Sequence, residues 1–303
     1  IFFLNSISKK LSKYYEENSI EYELNDNDYS ADIVSFDENA ENITIPNLIN
    51  YENHDYFIKS IKRKDNAKYR ELKSVLFSPN TSISIFYKNA FYDTRITEIS
   101  IPDSVIKIED FAFCWCRNLQ NINISPNSHL REICGCAFVD TRITSLYFPS
   151  GLKILQHSWC DRIPKLTNII ISPDNHNFIF YQDKYMLGKS KQNSDIYDVL
   201  IFSRRDIEEA IIPSFITKIG PYSFDDCFKI KTVKFEPNSQ LKSIEDHSFR
   251  DSKLETIKIP SKVENIEAEC FYCSALRKVD FESDSKLKAM FCNSFSYTKL
   301  KEI

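Results

Sequence analysis

Prolines divide this chain into segments of nearly constant length. Five of them recur at spacings of 23, 24, 23 and 24 residues, and three more continue the series after a wider interval. They are Pro79, Pro102, Pro126, Pro149, Pro173, Pro213, Pro237 and Pro260. A fixed period of this length is typical of solenoids, in which each coil packs only against its neighbours. We therefore expect the function to lie on an extended repetitive surface rather than in a central pocket.

Each segment also carries apolar residues at a fixed spacing of plus three and plus five. Leu119, Ile122 and Ile124 show the pattern, which begins again at Ile143, Leu166, Ile230, Leu254 and Leu276. Because side chains alternate between the two faces of a strand, the last two apolar residues point inward while Asn121 and Asn123 point outward. The spacing predicts one short strand per coil and a parallel sheet along the stack.

A second pattern places an aliphatic residue five positions before an aromatic one. Ile108 and Phe113 show it, and Ile154 and Trp159 are assigned to the same columns. The predicted aromatic ladder contains Phe91, Phe113, Phe138, Trp159, Phe224, Phe249, Phe271 and Phe295. Stacking of these rings buries a continuous spine, and each large side chain contributes about 1.5–3 kcal/mol of hydrophobic stabilisation.

Together these columns form the pattern I-P-x-S-V-x-x-I-x-x-x-A-F-x-x-C-x-x-L-x-x-I-x-I, which runs from Ile101 to Ile124 and returns from Ile212 and from Ile259. It resembles the leucine-rich repeats of BspA-like surface proteins of bacteria and parasitic protists, over roughly residues 46 to 303. The resemblance implies an α/β solenoid, a right-handed superhelix with a parallel β-sheet on its concave face and short helical or irregular turns on its convex face. It also implies a surface or secreted adhesin.

The expected domain organisation has two parts. Residues 1–45 form a helical or irregular capping segment, because Leu4, Ile7, Leu11 and Tyr14 follow the spacing of an amphipathic helix. Such a helix packs on the first coil or, as the alternative, lies on a membrane surface. Residues 46–303 form the solenoid. The chain ends partway through a repeat, so we expect further repeats or a cap to follow.

Two segments interrupt the repeat. Residues 47–78 are expected to form a degenerate coil, because Asn66 stands where the ladder needs an aromatic ring. Residues 175–205 carry two apolar runs, 178–181 and 199–202, on either side of a polar stretch, which predicts a hairpin-like insertion. The insertion either continues the stack as a longer coil or serves as a binding hairpin.

Composition argues against several functions. The formal net charge of −4 disfavours nucleic acid as a partner. The sequence contains no run of 18 apolar residues, so it does not predict a segment that inserts into a membrane. The five histidines fall in different columns, and phosphate-binding and nucleophile-elbow motifs are absent from the sequence. We expect no catalysis and no cofactor. Four of the nine cysteines, Cys114, Cys116, Cys134 and Cys136, leave zinc as an alternative, although Cys116 falls in a buried column.

The outward strand positions are the candidate binding site. Those we single out are Asn121, Asn123, Tyr147, Ile170, Lys234, Lys258, Lys278 and Asp280. Neighbouring exposed apolar groups mark contact patches unless loops cover them, and a lysine row either binds acidic groups or protects a sheet edge. The sequence therefore predicts a non-catalytic module that binds a protein or glycoprotein at the cell surface or in secreted form. A cytoplasmic scaffold for protein–protein interactions is the alternative.

Overall fold

The computed structural model describes residues 13–65, 67–272 and 274–301. Its regular elements are 26 strands. In chain order they are β1 Lys13–Glu17, β2 Ile20–Asn25, β3 Ser30–Phe36, β4 Asn42–Ile45, β5 Leu48–Tyr51, β6 His54–Ile61, β7 Ser74–Phe77, β8 Ile85–Phe86, β9 Glu98–Ile101, β10 Lys107–Ile108, β11 Asn121–Ile124, β12 Glu132–Ile133, β13 Ser145–Phe148, β14 Ile154–Leu155, β15 Asn168–Ile171, β16 Ile179–Tyr181, β17 Tyr185–Gly188, β18 Val199–Ser203, β19 Glu209–Ile212, β20 Lys218–Ile219, β21 Thr232–Phe235, β22 Ser243–Ile244, β23 Thr256–Ile259, β24 Asn265–Ile266, β25 Lys278–Phe281 and β26 Ala289–Met290.

Each regular coil contributes one four-residue strand and one two-residue strand. The four-residue strands pair in parallel in the orders β15-β13-β11-β9 and β19-β21-β23-β25, and we call the surface that they form the strand face. The two-residue strands pair in parallel along a second side of the stack, as in β8-β10-β12-β14. The prediction of a solenoid with one parallel strand face is therefore confirmed.

The third side of each coil is a turn rather than a helix. Short helical or irregular turns are the expectation for this fold class, and no described residue lies in a helix, so the helical form is not supported. The peptide N–H of Phe113 donates to Ala137 O in the next coil (2.8 Å), and that of Trp115 donates to Val139 O (2.8 Å). A helix would need these N–H groups for bonds within its own turn, so pairing between coils replaces it.

Residues with positive φ shape these turns. They occur four positions apart in a coil, as at Asn89 (63°) and Asp93 (57°), or at Phe111 (59°) and Trp115 (64°). Asparagine and aspartate, which tolerate this region better than other non-glycine residues, supply only some of these positions. Phe111 and Trp115 are held there by N–H bonds to Gly135 O (3.2 Å) and Val139 O (2.8 Å) of the next coil. No described glycine has a positive φ.

Aromatic rings stack through the core between the turns and the strands. Phe91 and Phe113 have their ring centroids 5.2 Å apart, and Phe249 lies 4.8 Å from Phe224 and 5.2 Å from Phe271. Interplanar angles of 16°, 9° and 5° show that the rings are stacked. Each such pair adds about 0.5–1.5 kcal/mol to the hydrophobic stabilisation.

One coil departs from the register that the sequence pattern predicts. In the pairing of β12 with β14, Ile133 lies opposite Leu155 and not opposite Ile154. The side chain of Ile154 is 49% exposed. Five residues after Leu155, Cys160 occupies the ladder column, while Trp159 stands one position earlier and packs on Phe148 and Phe202. The assignment of Ile154 and Trp159 to the columns is therefore wrong, because a slip of one residue exchanges the buried and exposed faces of a strand.

The described part of the capping segment is also built from strands. Residues 13–36 form the antiparallel strands β1, β2 and β3, so Tyr14 lies in a strand, and β4 pairs in parallel with β7. The helix expected around Leu4, Ile7 and Leu11 lies outside the described residues. Within 47–78, β5 and β6 form a hairpin, whereas Asn66 lies outside the described residues.

The insertion contains three antiparallel strands rather than one hairpin. The run 178–181 supplies β16, which pairs with β17, and β17 also pairs with β18 from the run 199–202. The polar stretch 189–198 connects β17 to β18, while residues 182–184 form a tighter turn that the sequence pattern did not show. Because β18 pairs in parallel with β20, the insertion continues the second side of the stack.

This insertion lacks the turn of a regular coil, and buried charges fill the junction between the turns on either side. Arg205 is 2% exposed and donates to the carbonyl oxygens of Cys160 (3.1 Å), Tyr222 (3.1 Å) and Ser223 (2.9 Å). Its guanidinium therefore joins the turn that contains Cys160 to the turn that contains Tyr222 and Ser223.

A second cationic side chain bridges the same junction. Arg250 makes a bidentate pair with the buried carboxylate of Asp225, at 2.9 and 3.1 Å, and also binds Asp161 across the junction. Apolar residues on the two sides form separate core clusters, one from Ile20 to Phe202 and one from Tyr185 to Leu276. The polar junction is therefore where the two cores meet.

Candidate functional site on the strand face

Side chains alternate along the strands of the strand face, as the sequence pattern predicts. In β11, Asn121 and Asn123 are exposed, while Ile122 and Ile124 are 6% and 7% exposed. The two asparagines differ in their contacts, because Asn123 Nδ2 donates to Ser100 Oγ at 3.3 Å. This bond holds the Asn123 amide against the neighbouring coil.

The apolar pair in the middle of the face consists of Tyr147 and Ile170. They occupy paired positions of the neighbouring strands β13 and β15. Tyr147 is half-buried, whereas 50% of Ile170 is exposed. The neighbouring polar side chain of Asn168 is held in place because its Nδ2 donates to Ser145 Oγ at 3.1 Å. The described loops leave Ile170 open to solvent.

The lysine row lies on the strands β19, β21, β23 and β25, which we call the second array. Its charges are largely neutralised. Lys234 forms an ion pair with Glu209, and this pairing lowers the pKa of the Glu209 carboxyl. Lys278 pairs with Asp280 at 2.7 Å. Lys258 stands beside Asp280 in register and makes no ion pair with a described residue. The row therefore offers one unpaired charge, not three.

The predicted residues form two groups rather than one continuous site. The strand ladder stops between β15 and β19, so Asn121, Asn123, Tyr147 and Ile170 share one sheet while the lysines and Asp280 share another. Next to the break, the hydroxyl of Tyr185 accepts a hydrogen bond from the Ile211 N–H at 3.0 Å. A side chain of the insertion thus binds a strand edge that faces the break.

Two outward apolar residues escaped the sequence analysis. Leu76 in β7 is 62% exposed, and Ile211 in β19 is 44% exposed. Each strand ends close to a proline of the series. Strand β7 ends at Phe77, two residues before Pro79, and β19 ends at Ile212, directly before Pro213. That signal could have identified them. Leu76 borders an open groove of about 710 Å³ between β7 and β9 that includes Glu98 and Ser100.

The thiols in the ladder region are buried and bound to neighbouring coils. Cys116 Sγ lies 3.2 Å from Thr94 Oγ1 and donates to Phe91 O at 3.0 Å. Burial raises the pKa of Cys116 to about 11 and that of Cys114 to about 12. Metal binding and nucleophilic attack both require the thiolate, which these environments disfavour. Among the described residues, no histidine, cysteine and carboxylate cluster has the arrangement of a metal site.

One histidine–carboxylate pair does occur, although the five histidines fall in different columns of the sequence pattern. His247 Nε2 lies 3.0 Å from Glu269 Oε2, and the imidazole stacks on Tyr222 with centroids 4.8 Å apart. The turns bring these residues together because His247 and Glu269 lie in equivalent positions of neighbouring coils, both with positive φ. His247 Nδ1 is buried without a hydrogen-bond partner.

Comparison with solved structures supports the architecture. The pneumococcal vaccine antigen PcpA superimposes with a TM-score of 0.66 at 16% identity, over 96% of this chain and 88% of that chain. A leucine-rich repeat protein from Bacteroides ovatus gives 0.60 at 15% identity, over 95% and 82%. A leucine rich cell surface protein from Faecalibacterium prausnitzii gives 0.52 at 18% identity, over 91% and 98%. At these identities the likeness shows the fold alone.

The described residues contain no helix that could cross a bilayer. No curated protein matches the sequence. The family model for the BspA type leucine rich repeat region matches in 6 copies, over residues 84–185 and 196–303. The two matched ranges include the ladder, the strand face and most of the insertion. The chain therefore belongs to the BspA-type leucine-rich repeat family.

Proposed function

We propose that this protein is a non-catalytic binding module that contacts a protein or glycoprotein through its strand face. The observation that carries the proposal is the exposure of apolar side chains at outward strand positions, namely Ile170 and Ile211 on the strand face and Leu76 on the adjoining strand β7. Ile170 stands beside Tyr147, whereas Ile211 is paired with Lys234 and Leu76 with Thr44. Exposed apolar groups at such positions are a feature of protein contact sites.

Backbone pairing supports binding by side chains. The inner strands β11, β13, β21 and β23 hydrogen-bond to a neighbour on each side, so their peptide groups are not free to pair with a partner strand. Asn123 and Asn168 are held by serines of adjacent coils, which lowers the entropy cost of ordering them on binding. The face is therefore rigid before a partner arrives.

A location at the cell surface or outside the cell is part of the proposal. It is supported by the description of the Faecalibacterium prausnitzii protein as a cell surface protein and of PcpA as a vaccine antigen. Under this proposal the partner is a host or matrix macromolecule, and the protein acts as an adhesin.

An intracellular scaffold is the second candidate, and the cysteines favour it. All eight described cysteines are free thiols, including the exposed Cys292. Free thiols are ordinary in a reducing compartment, whereas oxidising compartments favour disulfides. The same strand face would then bind proteins of the same cell.

The decisive experiment compares two isoleucines of equal exposure on different sides of the coil. Ile170 is 50% exposed on the strand face, and Ile154 is 49% exposed on the second side. Binding to immobilised matrix proteins is measured for Ile170→Ala, Tyr147→Ala and the control Ile154→Ala. We expect weaker binding by about 1 kcal/mol or more for the first two only. Equal affinities for all three variants would contradict binding through this face.

A charge variant tests the second array in the same assay. Lys258→Glu reverses the unpaired lysine, and Lys153→Glu reverses an exposed lysine on another side of the coil. Reduced affinity for Lys258→Glu alone would extend the contact surface to the second array. Reduced affinity for Lys153→Glu as well would indicate a nonspecific effect of net charge.

A further inference from the structure

A cationic groove lies beside the strand face, where the turns lead into the strands of the second array. Five basic side chains line it: Lys229, Lys231, Lys253, Arg277 and Lys299. We call this surface the rim groove; its volume is about 560 Å³. All five side chains are exposed, and they come from four successive coils. Neighbouring coils are separated by about 4.8 Å, so the charges are close together.

These charges are only partly compensated within the chain. Lys253 also borders a neighbouring hollow that is lined by Asp140, Asp226 and Asp251. None of the five forms an ion pair with a described carboxylate, in contrast to Lys234 and Lys278 on the adjacent strands. Two carboxylates, Glu208 and Glu255, also line the groove, which leaves a local excess of three positive charges (five minus two). Asp206 lies within electrostatic reach of Lys229, but it is already paired with Arg204. The excess stands out because the whole chain carries −4.

The floor of the groove is apolar. It contains Ala275 and the ring of Phe228, which is 49% exposed. Of the described residues that line the groove, none has a hydroxyl or amide side chain. Cations around an apolar floor match a segment that carries acidic side chains next to an apolar one.

We propose that the rim groove binds an acidic segment of a polypeptide that places an apolar side chain on Phe228 and its carboxylates on the surrounding lysines. The inference rests on the proposed protein-binding function and names the chemistry of one partner segment. Strands β21 and β23 are paired on both sides, so the segment is held by side chains and not as an added strand. Alanine at position 275 leaves space between Lys253 and Lys299 for the bound chain.

Fluorescence anisotropy with two labelled peptides tests the proposal. One peptide alternates glutamate with leucine, and the other alternates glutamate with serine at the same charge and length. We expect the leucine peptide to bind more tightly, and Phe228→Ser to remove that preference. Lys229→Glu combined with Lys253→Glu should raise the Kd by about tenfold or more, because charge reversal replaces attraction with repulsion.

The matched control reverses two exposed lysines away from the groove, Lys153→Glu and Lys286→Glu, at the same change in net charge. It should change the Kd by less than about twofold at about 0.15 M salt, where distant exposed charges are screened. Circular dichroism confirms that each variant is folded. The strand-face variant Ile170→Ala should bind the peptide as the wild type does, so the two proposals fail separately.

Three results would overturn the inference. The first is no measurable binding of the leucine peptide to the wild type, and the second is an equal loss for the groove and control variants. The third is tighter binding of heparin than of the leucine peptide together with loss of heparin binding on reversal of Lys229 and Lys253. That result would assign the groove to a sulfated polysaccharide instead.

Discussion

Replacing Arg250 with alanine should destabilise the protein far more than replacing an arginine in an equally well-formed exposed pair. Arg250 is buried to 11% side-chain exposure, and the Asp225 carboxylate that it binds is 0% exposed. The guanidinium donates to both oxygens of Asp225, at 2.9 and 3.1 Å, and also binds Asp161. Removal of the cation leaves a buried carboxylate whose remaining described donor is the Arg162 N–H at 3.0 Å.

The magnitude follows from the desolvation of that carboxylate. Breaking a buried ion pair by removing one partner costs about 3–5 kcal/mol, because the other charge stays in the interior without its main partner. The buried Arg205 still attracts the Asp225 carboxylate, which places the expected loss at the lower end of this range. Loss of the contact with the Tyr222 ring, whose centroid lies 5.2 Å from the guanidinium carbon, acts in the same direction. A loss of this size is a large fraction of the total stability of an ordinary domain, about 5–15 kcal/mol.

Because the pair lies between the two core clusters, its loss should also change the cooperativity of unfolding. A solenoid is stabilised by contacts between neighbouring coils, so a weak interface lets the parts on either side unfold separately. Urea unfolding followed by circular dichroism should therefore show one transition for the wild type and two for Arg250→Ala. Two-state analysis applies only to the former.

Arg204 provides the matched control. It makes the same bidentate geometry with Asp206, at 3.0 and 2.8 Å, but both side chains are 34% exposed. Arg204→Ala should cost about 0.2–1 kcal/mol, as other exposed pairs do. A difference of less than about 1 kcal/mol between the two variants would refute the argument from burial. Combining Asp225→Leu with Arg250→Met should recover most of the stability lost in Arg250→Ala.

The remaining predictions concern the core, the register, pH and thiol reactivity. Phe249→Ala should lower the free energy of unfolding by about 3–5 kcal/mol in denaturant titrations, because its ring is stacked on both sides. Leu155→Asp should destabilise the protein by about 2 kcal/mol or more and Ile154→Asp by less than about 0.5, whereas the opposite order would restore the register assigned from sequence. Burial and a neighbouring carboxylate raise the pKa of Asp226 to about 7, so the native state binds the proton more tightly than the unfolded chain does, and stability falls as pH rises from about 4 to about 7. Asp226→Asn should remove this fall and be more stable than the wild type at pH 8 by up to about 4 kcal/mol. A pH-independent difference between the two proteins would exclude the assignment. Iodoacetamide at neutral pH followed by peptide mass mapping should modify Cys292 first among the described cysteines, because it is the exposed one.

Periodicity in the sequence determined the architecture. The proline spacing and the apolar columns were sufficient to predict the coils, the inward and outward positions such as Ile122 and Asn123, and most of the ladder. These features repeat many times, and an alternating strand has only two faces, so each position is assigned by many coils at once. The motif that runs from Ile101 to Ile124 carries the resemblance to the BspA-like family, which the family model confirms.

Other features depended on contacts between coils that no single segment encodes. The turns are not helical because their N–H groups bond to the next coil, a pairing that becomes possible only after stacking. The shift from Ile154 to Leu155 could not be read from a pattern in which both residues are apolar. The ion pair of Lys234 depends on the stack, which places Glu209 of the neighbouring coil within reach, whereas Lys278 pairs with Asp280 of its own strand. One of the three lysines of the row therefore keeps an unpaired charge.

The insertion shows most clearly which features the sequence predicts and which depend on the tertiary structure. Its apolar runs and polar stretch were visible in the sequence, but the pairing of β16 with β17, and the burial of Arg205 and Arg250 in place of a missing turn, were not. Local sequence specifies which residues avoid water, and that requirement repeats from coil to coil. Only the tertiary structure decides which buried charges meet, because their partners, Asp161 and Asp225, come from coils on opposite sides of the insertion.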